Sequence, residues 1–214
     1  MITLIIIVIT CGVSLLTMEN NDLKNRYMFN AYAISHYREW WRFLSHGLLH
    51  ANFMHLLFNM YALYMFGTFV EKSFQLDFLF GKINGELVYL LLYVGGLVVS
   101  SIYSYFKHRD DSYYNALGAS GAVSAIVFAS ILLSPLNKMG LVFIPIMIPG
   151  WIFGTLFLVV SWFLARRNVG NIGHDAHFWG AVYGFILPIA FKPELFHDFV
   201  TLIHAYFVYG GLPQ

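Results

Sequence analysis

Apolar residues run along this chain in six long blocks, at residues 2–18, 53–70, 87–106, 116–135, 141–165 and 176–191. A helix crossing about 30 Å of hydrocarbon needs about 20 such residues, so each block predicts a membrane span. The third carries no charge. The first and last are short, which suits a thin local bilayer or burial among neighbouring helices. The fifth contains Pro145 and Pro149, which moves its expected helical start toward Gly150. Most links are short and polar, such as residues 107–111 and 166–168. The first link, residues 19–52, is too long for a turn and carries Tyr37, Trp40 and Trp41. Such aromatic residues favour the bilayer interface, so a partly helical loop lying on the membrane surface is expected there. The tail, residues 193–214, holds an apolar stretch too short to span, expected to be interfacial or packed on the bundle. No internal repeat, low-complexity segment or soluble domain interrupts the pattern. The expectation is an all-α polytopic membrane protein, one domain over residues 1–214.

Composition agrees. Of 214 residues, 59% are hydrophobic and only 11% charged, against about a quarter charged in a soluble domain. That is too little charge for a water-facing surface. A net charge of +1 offers no electrostatic basis for binding nucleic acid. Cys11, the single cysteine, excludes an intrachain disulfide and a cysteine-cluster metal site. The first block lacks the basic flank and small-x-small site of a secretory signal, and Thr10 is a poor match for lipoprotein cleavage before Cys11, so a retained first helix is expected. Glu71, Lys72 and Glu86 read as solvated loop charges.

Polar residues inside spans are costly and point to function. His55 and Asn59 are four apart in the second span, on one helix face. Ser120 stands between Ala119 and Gly121 in the fourth span. His177 opens the sixth span, with Gly180 and Gly184 following at i+3 and i+7. Spans two, four and six enter the membrane from the same side. At 1.5 Å per residue, Ser120 lies about 6 Å and Asn59 about 9 Å below their helix starts. The four polar groups therefore share one face and a similar depth. Gly180 and Gly184 form a small-xxx-small stripe that permits close backbone approach, and Gly118 and Gly121 thin the start of span four. If these stripes meet, His177 comes toward Ser120. A serine hydroxyl needs a base within hydrogen-bond reach, and histidine titrates near neutrality. His55 and Asn59 could donate to a developing oxyanion.

Plainer readings stand beside these. Ser120 alone could be a small contact residue bonding the i−4 carbonyl. His55 and Asn59 could be a structural pair. His46 and His50, with His55, have a spacing compatible with metal, but no H-E-x-x-H run exists, and a structural role at the loop–helix junction is expected. Asp175, two residues before His177, fits helix capping better than a triad. Trp41 and Arg42 read as ties between the surface loop and the bundle. No metal or cofactor is expected.

Four motifs in order resemble the rhomboid family of intramembrane serine proteases over nearly the whole chain: W-R at Trp41 and Arg42, H-G-L-L-H-A-N-F-M-H-L-L-F-N at residues 46–59, G-A-S-G at residues 118–121, and A-H-x-x-G-x-x-x-G at residues 176–184. The resemblance implies a six-span bundle and a Ser120–His177 dyad without a catalytic aspartate. It also implies an oxyanion hole from His55, Asn59 and the Ser120 N–H, and transmembrane proteins as substrates. Many family members carry an aromatic residue four positions after the serine, packed on the histidine. Here that position is Ser124, leaving Phe178 or Phe128 as candidate supports. The family places its N-terminus in the cytoplasm and its active site at the outer face, which suggests a bacterial plasma membrane. That orientation puts Lys72, Lys82, Lys138 and Lys192 inside and eight basic residues outside, among them Arg166 and Arg167, the reverse of the positive-inside tendency. A channel or transporter would call for charges mid-span, which are nearly absent. A non-catalytic helix-binding relative would not need the Ser120–His177 pair.

Overall fold

In a computed structural model describing residues 1–140, 146–167 and 173–210, the apolar blocks are helices. Helix α1 (Ile2–Thr17) leads into the short helices α2 (Asn21–Tyr27), α3 (Ala31–Tyr37) and α4 (Arg42–Ser45). Helices α5 (Phe53–Ala62) and α6 (Thr68–Phe74) are joined by a π turn, Leu63–Gly67, into one rod. Then come α7 (Lys82–His108), α8 (Ser120–Leu133), α9 (Gly150–Arg167), α10 (His174–Phe191) and α11 (Glu194–Tyr209). Two antiparallel pairs of two-residue strands complete the described fold: β1 (Phe29–Asn30) with β2 (Asn115–Ala116), and β3 (Lys138–Met139) with β4 (Ile148–Pro149). Among the described residues, the rods Phe53–Phe74 and Lys82–His108 are long and apolar enough to cross a membrane, while Ile2–Thr17 and Ser120–Leu133 are shorter apolar helices.

The packing is inverted relative to a water-soluble protein. The buried positions of α1 are Thr3, Thr10, Ser14 and Thr17, while Ile5, Val8, Ile9, Leu15 and Leu16 point outward. Water would impose the opposite arrangement. A lipid solvent removes that drive and leaves polar groups to find partners inside. Helix α8 sits at the centre, with residues 121–126 and 128–132 all buried. Its Ala, Ser and Gly content lets α7 and α10, which also pack on each other, both approach it closely. Tyr183 of α10 reinforces that contact by donating its hydroxyl to the Leu91 carbonyl at 2.9 Å, over the bare backbone of Gly95.

Several expectations change. Glu71 is not a solvated charge, being only 2% exposed. It accepts from the Ile2 N–H at 2.6 Å, the Thr3 N–H at 3.0 Å and the Thr3 hydroxyl at 2.6 Å. A carboxylate there satisfies the open N–H groups of α1 and its positive dipole end. Its hydropathy-based neighbours give no hint of this, because the partner lies 68 residues away. The fourth helix starts at Ser120 rather than residue 116, so Gly118 lies in the preceding loop. The fifth starts at Gly150; the expected start at residue 141 lies outside the described residues, as do residues 168–172 and the last four residues of the tail. The tail forms α11, held to the bundle by Phe199 on Phe185 (5.1 Å) and Phe207 on Trp151 (5.7 Å).

The first loop is partly helical. Arg42 is buried within it, paired with Glu39 and donating to the carbonyls of Asn25 (2.9 Å) and Met28 (2.7 Å). Trp40 and Trp41 remain half exposed.

Candidate active site

Three separate elements meet at one end of the bundle. Asn30 ties the first loop to the segment leading into α8. Its amide donates to the carbonyls of Ser112 (3.0 Å) and Tyr114 (3.3 Å), and its side-chain oxygen caps α3 at the Ala33 N–H, 2.6 Å away. With the β1–β2 pairing, this holds the run up to Ser120 against the loop. Nothing in local sequence marks Asn30 for that role beyond its being a good cap residue.

Two histidines hold the next stretch. The Gly118 N–H donates to the His46 carbonyl at 3.0 Å, and His46 Nε2 faces the Ser101 hydroxyl at 3.3 Å. His50 is fixed by a proton inventory. Ser14 spends its single hydroxyl proton on the Leu48 carbonyl at 2.7 Å, so its oxygen must accept from His50 Nδ1, 2.9 Å away. The other ring nitrogen, Nε2, is then an unprotonated acceptor facing the Ala119 N–H at 3.5 Å. His46, His50 and His55 form no metal cluster among the described residues.

Burial lowers His46 to about 4. Burial lowers His50 to about 3, aided by the neighbouring His55 and His46. Both are neutral when folded, whereas the unfolded chain titrates near 6.5. Their contribution is therefore fully present above pH 6.5 and is lost as pH falls from there toward about 4. At pH 5 each histidine is expected to cost roughly 2 kcal/mol of stability. Thermal melts in detergent should be flat above pH 6.5 and fall steeply below it. A melting temperature unchanged between about pH 7.5 and about pH 5 would contradict the neutral assignment.

Gly118 has φ +121°, a region L side chains rarely adopt, and a Cβ there would lie 2.7 Å from His55 Cε1. The His55 imidazole therefore sits directly against the backbone two residues before Ser120. One turn along α5, Asn59 is buried and donates one amide proton to the His55 carbonyl at 2.8 Å. Its amide has a second proton to offer. Ser120 is the first residue of α8, whose N-cap, Ala119, supplies no capping side chain. The first-turn N–H groups of α8 thus lack the usual side-chain acceptor.

His177 arrives on α10. A Cβ at Gly180 would fall on the Gly121 carbonyl group, 2.8 Å from its carbon and 3.1 Å from Gly121 Cα. One at Gly184 would fall on the Ala125 carbonyl group, 2.5 Å from its carbon. The two helices touch backbone to backbone over a full turn. The contact begins one residue after Ser120 and three residues after His177. Asp175 lies in the first turn of α10 and pairs with Lys107 of α7 at 3.4 Å.

The aromatic neighbour of His177 comes from α9. The Phe157 ring is 6.1 Å from the imidazole, tilted by 33°, and the His174 ring meets the imidazole edge-on at 6.1 Å. Phe128 stands behind Phe157 at 5.7 Å, and Phe178 packs on Trp179. Phe128 and Phe178 are the supports expected from sequence; the ring set against His177 is instead Phe157. A signal for Phe157 existed: Gly150, Gly154 and Ser161 are the buried residues of α9, and Phe157 completes their helical stripe.

The sequence profile of the rhomboid family, described as a Rhomboid domain, matches residues 37–194. This chain belongs to the rhomboid family. It is 24% identical over 173 residues to the rhomboid protease AarA of Providencia stuartii, covering 76% of this chain and 59% of that one. It is 31% identical over 137 residues to the mitochondrial RHOMBOID-like protein 12 of Arabidopsis thaliana, covering 62% and 40%. With the rhomboid protease GlpG of Haemophilus influenzae it shares 28% over 150 residues, covering 69% and 68%. The chain thus spans about two fifths to two thirds of the length of these relatives. Family membership makes it an integral membrane protein, and the outward-facing aliphatic surface of α1, α5, α7 and α9 has the chemistry a lipid solvent requires.

Proposed function

We propose that this rhomboid is an intramembrane serine endopeptidase that cleaves transmembrane segments of other membrane proteins, with Ser120 as nucleophile and His177 as general base. The observation that carries the reading is the backbone contact of α8 and α10 at Gly121 and Gly180, because it brings the starts of these two helices together. In this reading His177 takes the Ser120 proton as Oγ attacks the peptide carbonyl, then returns it to the leaving amine. The oxyanion receives the Ser120 N–H at the uncapped end of α8, the second amide proton of Asn59, and a donor from the His55 ring. The proposal includes six spans, with α1, the α5–α6 rod, α7, α8, α9 and α10 crossing. It puts the active site at the outer face of a bacterial plasma membrane. No metal or cofactor takes part.

The test is cleavage of a reporter transmembrane segment by purified wild type, Ser120→Ala and His177→Ala, with a fluorophosphonate label reporting the nucleophile. Both variants are expected to melt as wild type and to lose cleavage by at least about 10³-fold. Cleavage that survives Ser120→Ala would refute the assignment. A non-catalytic helix binder would show no labelling in wild type. Orientation is checked with Ser112→Cys, which a membrane-impermeant thiol reagent should label from outside intact cells; protection there would reverse it.

A further inference from the structure

Helix α9 ends in Arg166 and Arg167, and six residues separate Arg167 from the start of α10 at His174. They therefore lie on the same membrane face as His177. Each guanidinium covers an aromatic ring one turn earlier: Arg166 lies 4.0 Å over Trp162 and Arg167 4.3 Å over Phe163. Both rings and both arginines are exposed. Among the described residues, neither arginine has an acidic side chain within ion-pairing distance. The five residues that follow, residues 168–172, include no Asp or Glu. By contrast, Lys107 and Arg109 on the same face each pair with an aspartate.

Stacking fixes the plane of a guanidinium while leaving its edge N–H groups free, the geometry that binds phosphate in a bidentate manner. Just below lie the exposed Val159 and Val160, so the helix passes directly from an aliphatic to an aromatic to a cationic band. That is the order of the bilayer from hydrocarbon to headgroup. An acidic protein partner would match the charge but not the adjoining aliphatic surface.

We propose that Arg166 and Arg167 form an anionic-phospholipid seat, holding the end of α9 to headgroup phosphates of the leaflet at the active-site face. The seat rests on α9 crossing the membrane but not on the Ser120–His177 assignment. With the active site at the outer face, as proposed above, the seat also gives a physical account of two basic residues that the positive-inside tendency disfavours there.

The test is titration of the Ser120→Ala protein in neutral detergent with phosphatidylglycerol or phosphatidylcholine, followed by native mass spectrometry. Phosphatidylglycerol is expected to bind more tightly than phosphatidylcholine. At about 1 kcal/mol per arginine, the R166Q/R167Q double variant should lose about 30-fold in that affinity. R109Q, whose charge is already paired, should change it less than 2-fold. Unchanged phosphatidylglycerol affinity in the double variant overturns the proposal. So does an intact affinity accompanied by a raised KM for a substrate with acidic juxtamembrane residues in phosphatidylcholine vesicles, which would assign the pair to substrate instead. Because the lipid readout needs no turnover, its failure is distinct from failure of the protease reading.

Discussion

Gly184→Val is expected to abolish both cleavage and the folded bundle. The position offers no room: the first side-chain carbon would fall on the Ala125 carbonyl group, 2.5 Å from its carbon. The obstructing atoms are backbone of α8, the most buried helix, so no side-chain rotation relieves the clash. Helices α8 and α10 would have to separate, losing dispersion contacts along their whole shared face. Overpacking a core costs about 1–3 kcal/mol where side chains can yield. Here backbone must move, and a loss above about 3 kcal/mol is expected. Gly184→Ala should be intermediate, because it adds the clashing carbon without the branched methyls. Melting temperature, fluorophosphonate labelling and reporter cleavage should fall together along Gly, Ala, Val. A valine variant that melts and labels as wild type would remove the backbone contact from the account.

Gly118→Ala is expected to separate activity from folding. The site lies in a loop, outside the helix contacts that hold the bundle. An alanine there meets two costs: φ of +121°, worth about 1–3 kcal/mol of strain, and a Cβ 2.7 Å from His55 Cε1. The strain can relax only by moving the Gly118 and Ala119 N–H groups from His46 and His50, or by displacing the His55 ring. Either movement shifts the group two residues before Ser120 or the proposed oxyanion donor. A displacement of about 1 Å can cost about 10²-fold in rate. Circular dichroism should retain the helical spectrum, while the labelling rate of Ser120 drops by about 10²-fold. Wild-type labelling with the alanine in place would mean that neither His55 nor the 118–119 backbone bears on the nucleophile.

Much of this protein is legible in its sequence. The apolar blocks marked where the main helices lie, because a membrane solvent demands long apolar segments. Ser120, His177, His55 and Asn59 stood out because a polar group in such a segment has few innocuous explanations. The Gly180 and Gly184 stripe foretold a close helix contact, since absent side chains matter only where something approaches.

What sequence left open were the pairings. Glu71 reads as a surface charge until α1 is found ending its N-terminus on it. Ser124 leaves the aromatic neighbour of His177 unnamed, and Phe157 fills that place from a helix 20 residues upstream. Asn30 and the β1–β2 pair bind the first loop to the run before Ser120 through a handful of hydrogen bonds between segments 85 residues apart. The sequence by itself determined the solvent and the main helices and marked candidate residues for chemistry, because hydrophobicity and helical period are local properties. Only the tertiary structure decided which distant atom satisfies each buried polar group, because that depends on how whole helices cross and no local pattern records it.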